Sequence, residues 1–473
     1  MASHRFFSSM RPIAISAAAL MLAGCATFSA DGGMDTVSAL TKERTGQTVQ
    51  VERSQTDTDA LTARVTELLG KPLTPDAAVE VALLNNRGLK ASLAELGIAE
   101  ADLVQAGRMR NPGFSFSRMR GGHDVEIERS IGFDLVGLLT IPLRTQIESR
   151  RFEQAKLQAA AKAVRLAMDT RKAFFNAVAA QQTAQYMAQV GTAAEASAEL
   201  AKRMAAVGNM NKLDQAREQA FYADSTTQIA RAQHNATAAR EQLARLMGVW
   251  GEQTAFKLPV RLPDLPQGPS VQSDLESQAM LKRLDVQMAK QDTEATAKAL
   301  GLSQATGFIN VFHVAYQNKS VTHEPRENGY EIELELPIFD WGRSRTAKAE
   351  AIYMQSVHRT ADVAVRARSE VREAYSAYRT SYDLAKHYLD EVVPLRKKIS
   401  EEMLLRYNGM LVGVFELLAD ARSQINSVNA AIEAQRDYWL AETDLQAAIN
   451  GTGSVSTFMR GQASGEASTA QAH

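Results

Sequence analysis

The sequence predicts a mainly α-helical chain with a small β part, built from one unit used twice: helix, strand pair, very long helix, return helix. Three observations carry this. Aromatic residues make up only 6% of 473 residues, and no proline falls between Pro142 and Pro259, a composition suited to long helices rather than to several compact cores. Residues Tyr330-Glu331-Ile332-Glu333-Leu334-Glu335-Leu336 alternate apolar and acidic, the two-residue period of a strand with one wet and one dry face. The same order of elements then recurs in both halves of the chain, with matching landmarks.

The N-terminus has the layout of a secretory signal peptide over residues 1–24: His4, Arg5 and Arg11 precede the apolar run Ile13 to Leu22. Cys25, at the end of Leu22-Ala23-Gly24-Cys25, is the only cysteine. Disulfides within the chain are therefore excluded, and a thiolate metal cluster is not expected from a single cysteine. The stretch resembles a bacterial lipobox, whose cysteine carries the lipid and becomes the first residue of the mature chain. Ala26 and Thr27 follow it, without the aspartate that retains many lipoproteins at the inner membrane; the resemblance implies export to the outer membrane. Residues 25–73 then read as a polar, lipidated tether with a short amphipathic stretch around Leu61 to Leu69.

The first repeat spans residues 74–257. Thr74 caps a helix with Pro75 and Asp76 in its first turn, expected to run to about Arg110. Asn111-Pro112-Gly113 breaks it. A hairpin follows, Phe114 to Met119 and Val125 to about Leu135, around a turn at Gly121 to Asp124. A long helix is expected from Gln146 to Val207, a tight turn at Gly208-Asn209, and a return helix from Leu213 to Met247. After a proline-rich linker at 258–272, the second repeat (273–451) opens with Ser273-Asp274-Leu275-Glu276, a capping box. Strands are expected at Phe308 to Tyr316 and Tyr330 to Leu336. A long helix from Ser344 to Tyr407, a turn from Gly409 to Gly413 and a return helix from Phe415 to Ile449 complete it. Residues 452–473 read as a disordered tail.

Gapless pairing of residues 208–217 with 413–422 matches Gly208 with Gly413, Leu213 with Leu418, Ala216 with Ala421 and Arg217 with Arg422. Pro142 falls on Pro337, and the Ala82 region on the Ala279 region. Both prolines are expected at a junction where strand gives way to helix, because proline donates nothing to a sheet and its fixed φ suits a first helical turn. The matched turns are expected to use the positive φ that glycine adopts readily.

With the lipobox, Leu336-Pro337-Ile338-Phe339-Asp340-Trp341-Gly342-Arg343-Ser344, the paired turns and the C-terminal run from Phe415 to Gly451, the sequence resembles TolC-type outer-membrane efflux proteins, in their lipoprotein branch. The resemblance covers about residues 74–451. It implies a homotrimer whose twelve strands close an outer-membrane β-barrel continued by a periplasmic α-helical tunnel, docked through a periplasmic adaptor on an inner-membrane pump. The residues alone give compatible geometry. A helix from 146 to 207 rises roughly 1.5 Å per residue, about 93 Å in all, and must pack along other helices. Four strands cannot close a barrel with a lumen, whereas twelve from three chains can. No segment after the leader reaches the roughly twenty apolar residues of a membrane-spanning helix.

The formal net charge of −1 offers no footprint for nucleic acid. Zinc-protease, nucleophile-elbow and phosphate-loop motifs are all missing, so neither enzyme activity nor a cofactor is expected. On the strands, Glu126, Glu128 and Asp134 share one parity, as do Glu331, Glu333 and Glu335. In a membrane barrel the apolar parity must face lipid. The carboxylates then line the lumen, either as a cation-favouring set or as plain polar lining. His123, His313 and His323 fall near the hairpins, as metal ligands or as ordinary loop residues. Glu416 and Asp420, spaced i, i+4 past the second turn, are the nearest match to the acidic rings near the periplasmic tip of the resembled family. They form either a cation-sensitive gate or a solvated helix face. Pro394 marks a hinge or accommodates curvature. The reading is a passive exit duct of a tripartite efflux or secretion system, possible substrates being cationic; its rival is a lipid-anchored periplasmic coiled-coil scaffold or adaptor without a barrel.

Overall fold

The computed structural model describes residues 27–269, 274–305, 312–334, 339 and 341–452; Cys25, Ser273, Glu335, Pro337 and the expected tail beyond Thr452 lie outside them. The described chain is mainly helical with one four-stranded antiparallel sheet. Two short helices, α1 (Met34–Thr45) and α2 (Gln55–Leu69), precede the first repeat, which comprises α3 (Pro75–Asn85), α4 (Arg87–Ala106), β1 (Gly113–Gly121), β2 (Asp124–Asp134), α5 (Leu135–Ala206) and α6 (Lys212–Met247). The second repeat has α7 (Leu275–Lys282), α8 (Leu284–Ala305), β3 (Phe312–Val321), β4 (Glu327–Leu334), α9 (Arg343–His387), α10 (Val393–Asn408) and α11 (Val414–Asn450). The elements group into two compact units, one from the segments ending at Thr36, Ser92–Ala159 and Val286–Val363, the other from Val37–Ala91, Ala160–Asp285 and the segment from Ala364 onward.

The single helix expected from Thr74 to Arg110 is two helices. Asn86 turns to ψ 117° between α3 and α4 while its N–H still bonds the Ala82 carbonyl. Its side-chain oxygen accepts from the Leu89 N–H at 2.9 Å and restarts the helix. Arg283 does the same between α7 and α8, at ψ 123° with its N–H on the Ala279 carbonyl. Each break closes on the C-terminus of the return helix of its own repeat. In the first, Asn85 Nδ2 donates to the Gly248 carbonyl (2.7 Å) and Asn86 Nδ2 to the Leu246 carbonyl (2.9 Å). In the second, Arg283 donates to the Ala448 carbonyl at 2.8 Å and to Asp285 and Glu370 at 2.6 Å. Gly248 (φ +68°) and Gly451 (φ +72°) end the return helices, and a Cβ on either would run into the break: Asn85 and Asn86 backbone at 3.0 Å, or Asp285 Oδ1 at 2.2 Å. The side chains at each break thus satisfy carbonyls that a helix end leaves free.

Helix α5 begins directly after β2, so Pro142 lies inside it rather than at the strand–helix junction. Asp134 starts the helix first, accepting the Gly137 N–H at 2.7 Å. Proline removes one helical donor and crowds the preceding turn; there Thr140 Oγ1 bonds the Val136 carbonyl at 2.8 Å and the Arg144 guanidinium bonds the Gly137 carbonyl. The second long helix is interrupted too: one π turn, Tyr388–Val392, separates α9 from α10, with Pro394 immediately beyond it.

The second unit holds the main apolar core. Phe174, Leu243 and Met247 are buried beside the α3 residues Ala78 and Val81, and Phe175 stacks on Trp439 at 5.2 Å. A second cluster gathers Tyr378, Tyr382 and Tyr438, the Tyr438 ring centroid 5.7 Å from each of the other two. Alanines dominate the buried positions of α5, where a small side chain lets helices approach closely.

Candidate functional site

The strands of the first unit pair in sequence order, β1-β2-β3-β4, leaving β1 and β4 as open edges. Residues paired across antiparallel strands share a face, so the register sorts every side chain. Glu128 lies opposite Ser117 and Lys319, Asp134 opposite His313, His313 opposite Glu333, and Ala315 opposite Glu331. Glu126, Glu128 and Asp134 from the first repeat therefore share one face with Glu331 and Glu333 from the second. Glu327, opposite Lys319, joins them; it was missed because it precedes the alternating run. This face is also hydrogen-bonded within itself: Lys319 Nζ pairs with Glu126 at 2.5 Å, Gln317 Nε2 donates to Glu331 at 2.5 Å, and Ser115 and Ser130 hydroxyls meet at 2.8 Å.

The other face carries Phe114, Ile131, Tyr316 and Tyr330 in one row, and Phe133, Val314 and Ile332 in the next toward the helices. Phe114 is 66% and Tyr330 79% exposed. An exposed aromatic and aliphatic face is unusual in a protein bathed in water. Toward the hairpin turns the same face changes to Arg129 beside Phe116, then Arg118, then Arg120.

Of the three histidines, His123 and His323 sit in the two hairpin turns, His323 with φ +70°. The His313 ring covers Gly132, where a Cβ would meet it at 2.1 Å. Among the described residues no group of three or more His, Cys, Asp or Glu is placed to hold a metal ion, and no helix is long and apolar enough to cross a membrane.

In the second unit, the turn between α5 and α6 and that between α10 and α11 have the same hydrogen bonds. The Gly208 and Asn209 N–H groups bond the Ala205 and Met204 carbonyls; the Met410 and Leu411 N–H groups bond those of Tyr407 and Arg406. The left-handed residue is Gly208 (φ +80°) in one and Met410 (φ +58°) in the other. Gly413 is the N-cap of α11 at φ −80°, ψ 165°, equivalent to the N-cap Asn211 of α6, and Gly409 ends α10 at φ −81°. The sequence pairing of Gly208 with Gly413 is thus displaced from the structural one, and Gly413 has no need of a positive φ. The glycine identity misled because a methionine occupies the strained position.

Glu416 remains exposed, but its carboxylate accepts the Gly413 N–H at 3.1 Å as half of a reciprocal cap. Asp420 is only 8% exposed, and its Oδ2 has no hydrogen-bond partner. Of the expected pair, therefore, only Glu416 is open to solvent in this chain, and Asp420 is not part of a solvated helix face. Counting from the N-caps, the residue equivalent to Asp420 is Glu218, seven positions past Asn211. Glu218 is 1% exposed, accepts from Ser197 Oγ at 2.9 Å and meets Arg422 Nη2 at 3.4 Å; Arg422 lies 4.3 Å from the Phe221 ring centroid. Nothing local in the sequence marks Glu218, because Arg422 is 204 residues away. Around the turns Met410 is 94% exposed, and Leu411, Val207 and Leu213 are exposed as well.

No protein-family model and no curated protein matches the chain, but solved structures do. A membrane protein from Pseudomonas aeruginosa superposes with a TM-score of 0.70 at 19% identity, covering 82% of this chain and 92% of that one. The Campylobacter jejuni CmeC outer membrane channel gives 0.68 at 16% identity, covering 86% and 89%. The Neisseria gonorrhoeae MtrE outer membrane channel, in its open state, gives 0.66 at 17%, covering 79% and 88%. At these identities the fold is what is shared: mainly helical with a four-stranded antiparallel sheet, as in TolC-type outer-membrane channels.

Proposed function

We propose that the chain is the passive exit duct of a tripartite efflux or secretion system, working as a homotrimer in the outer membrane and extending into the periplasm, without catalysis or cofactor. The observation that carries this reading is the sheet: one acidic, internally hydrogen-bonded face, one exposed apolar face, and two open edges. An apolar face of that kind suits lipid, and unpaired edges in a bilayer must be closed. Three copies joining β1 to β4 close a twelve-stranded barrel whose lumen carries Glu126, Glu128, Asp134, Glu327, Glu331 and Glu333. That lining favours cationic substrates. The likeness to the CmeC and MtrE outer membrane channels supports the same reading.

The signal peptide, the lipid on Cys25, and the adaptor and inner-membrane pump belong to this proposal. The exposed apolar tips at Val207 and at Met410-Leu411 are the surface offered to the adaptor, with Glu416 as the tip carboxylate nearest the passage. The test is Cys25→Ser. Without its lipid the chain should still form some trimer that resists a carbonate wash of outer membranes. Complete release as monomer would show lipid to be the sole membrane contact, and the lipid-anchored scaffold would replace the duct.

A further inference from the structure

The apolar face of the sheet is not apolar along its whole length. Arg120 lies opposite Val125, Arg118 opposite Ile127, and Arg129 opposite Phe116, so the three arginines occupy successive rows of one face beside the hairpin turns. Rows on one face repeat every second residue, roughly 7 Å along a strand, and diagonal neighbours on paired strands lie about 7–8 Å apart. Arg118 is thus one step from each of the other two, and guanidinium groups from three successive rows line one strip that suits a headgroup with more than one phosphate. Arg129 donates to Asn318 at 3.2 Å and stands 6.0 Å from the Phe116 ring centroid, fixing it on this face.

None of the three is ion-paired among the described residues, whereas Lys319 on the opposite face is paired with Glu126 at 2.5 Å. Joining β1 to β4 brings no strand carboxylate to this face: Glu327, Glu331 and Glu333 of β4 all lie on the acidic face, and the described β4 residues on the arginine face are Asn328, Tyr330, Ile332 and Leu334. Uncompensated arginines on a lipid-facing surface are costly at mid-bilayer and tolerated only near the interface. Their place beside the turns puts them at one end of the apolar band, the end away from the helices.

Resting on the barrel reading above, we propose that Arg118, Arg120 and Arg129 form a binding site for the phosphate groups of an anionic glycolipid in the outer leaflet. Guanidinium matches phosphate oxygens through paired, charge-assisted hydrogen bonds, and the adjacent Phe114, Ile131 and Tyr330 surface takes the acyl chains. The same site orients the barrel, since only one leaflet presents such headgroups at that depth.

The test uses intact trimer purified from outer membranes in detergent, with bis-phosphorylated lipid A as the probe and native mass spectrometry as the readout; lipid A with both phosphates removed is the control ligand. Each basic side chain near anionic headgroups contributes about fivefold, so Arg118→Gln/Arg120→Gln/Arg129→Gln should bind the bis-phosphorylated probe roughly a hundredfold more weakly. Binding of the dephosphorylated lipid should not change, nor should Glu126→Gln/Glu128→Gln on the other face weaken the probe. Equal probe affinity of wild type and the triple variant, or equal affinity of the wild type for both lipids, would overturn the site. Should the triple variant not assemble, Arg120→Gln and Arg118→Gln singly must each lose about fivefold, and no loss in either overturns it as well. Failure of the barrel reading is seen separately, as complete carbonate release of the Cys25→Ser chain as monomer.

Discussion

In the first half of the molecule the helix break at Asn86 closes on the end of α6 with two neutral amides. In the second half the break at Arg283 closes on the end of α11 with a guanidinium held between Asp285 and Glu370. The backbone is the same in both: a residue at extended ψ whose N–H caps the turn behind it, packed against a left-handed glycine at a helix C-terminus. Duplication kept the geometry, and the chemistry that satisfies it drifted. The consequences differ because a buried charge depends on its partners far more than an amide does. Removing Arg283, 3% exposed at its side chain, takes a charged partner from Asp285 and Glu370 and leaves the Ala448 carbonyl without its donor. Arg283→Ala should therefore destabilise the helical signal in urea unfolding by about 3–5 kcal/mol, against about 1 kcal/mol for Asn86→Ala, which loses a cap and one carbonyl contact. Equal losses would mean that the breaks are chemically interchangeable.

The buried carboxylates sharpen the comparison in the opposite direction. Glu218 has Ser197 and Arg422, while Asp420 at the equivalent position has an oxygen without a partner. Charged hydrogen bonds contribute about 1.5–3 kcal/mol, so Glu218→Ala should cost about 2 kcal/mol by the same unfolding measurement. Asp420→Asn, which removes a poorly compensated charge, should be neutral or stabilising by up to about 1 kcal/mol. A large loss in Asp420→Asn would show that the orphan oxygen has a partner beyond this chain, as the proposed trimer would supply.

The order of elements was legible in the sequence because strand alternation, long proline-free stretches and turn residues are local signals. So was the single acidic face: parity along each strand needs only neighbours, and the register then joined the two repeats. Three features were not legible. The breaks at Asn86 and Arg283 are made by residues that tolerate helix, and what ends the helix is a carbonyl array at the far end of the repeat. The start of α5 before Pro142 depends on Asp134 capping Gly137, which outweighs a proline eight residues into the helix. The displaced turn pairing followed from trusting glycine identity, when the left-handed position of the second turn is Met410.

The turns offer a smaller contrast. Gly208 and Met410 adopt the same left-handed conformation, which costs a residue with a Cβ about 1–2 kcal/mol. Gly208→Val should thus lose about that much stability, and Met410→Gly should gain up to about 1 kcal/mol, reduced by the greater freedom of glycine in the unfolded chain. Met410→Gly also removes an apolar side chain from the tip. If the tips dock the adaptor, crosslinking to it should weaken in that variant although the protein has become more stable, and only a contact role separates the two readouts in this way.

The least effect is expected at the N-caps just beyond. Asn211 caps α6 by accepting the Asp214 N–H at 2.8 Å, and Asn211→Ala should cost about 1 kcal/mol. Gly413 has no side chain to offer, yet its N–H is already taken by Glu416, so the reciprocal cap lacks only a hydroxyl. Gly413→Ser should complete it and stabilise α11 by a few tenths of a kcal/mol. Gly413→Val tests the conformation itself. At φ −80° and ψ 165°, with nothing within 4 Å of an added Cβ, a β-branched residue fits without strain, and on the proposed duct reading both trimer yield and export should stay near wild type. Loss of export with the trimer intact would mean that the turn passes through a second conformation, one in which this glycine does need a positive φ, and the equivalence between Asn211 and Gly413 would then hold for only one state of the tip.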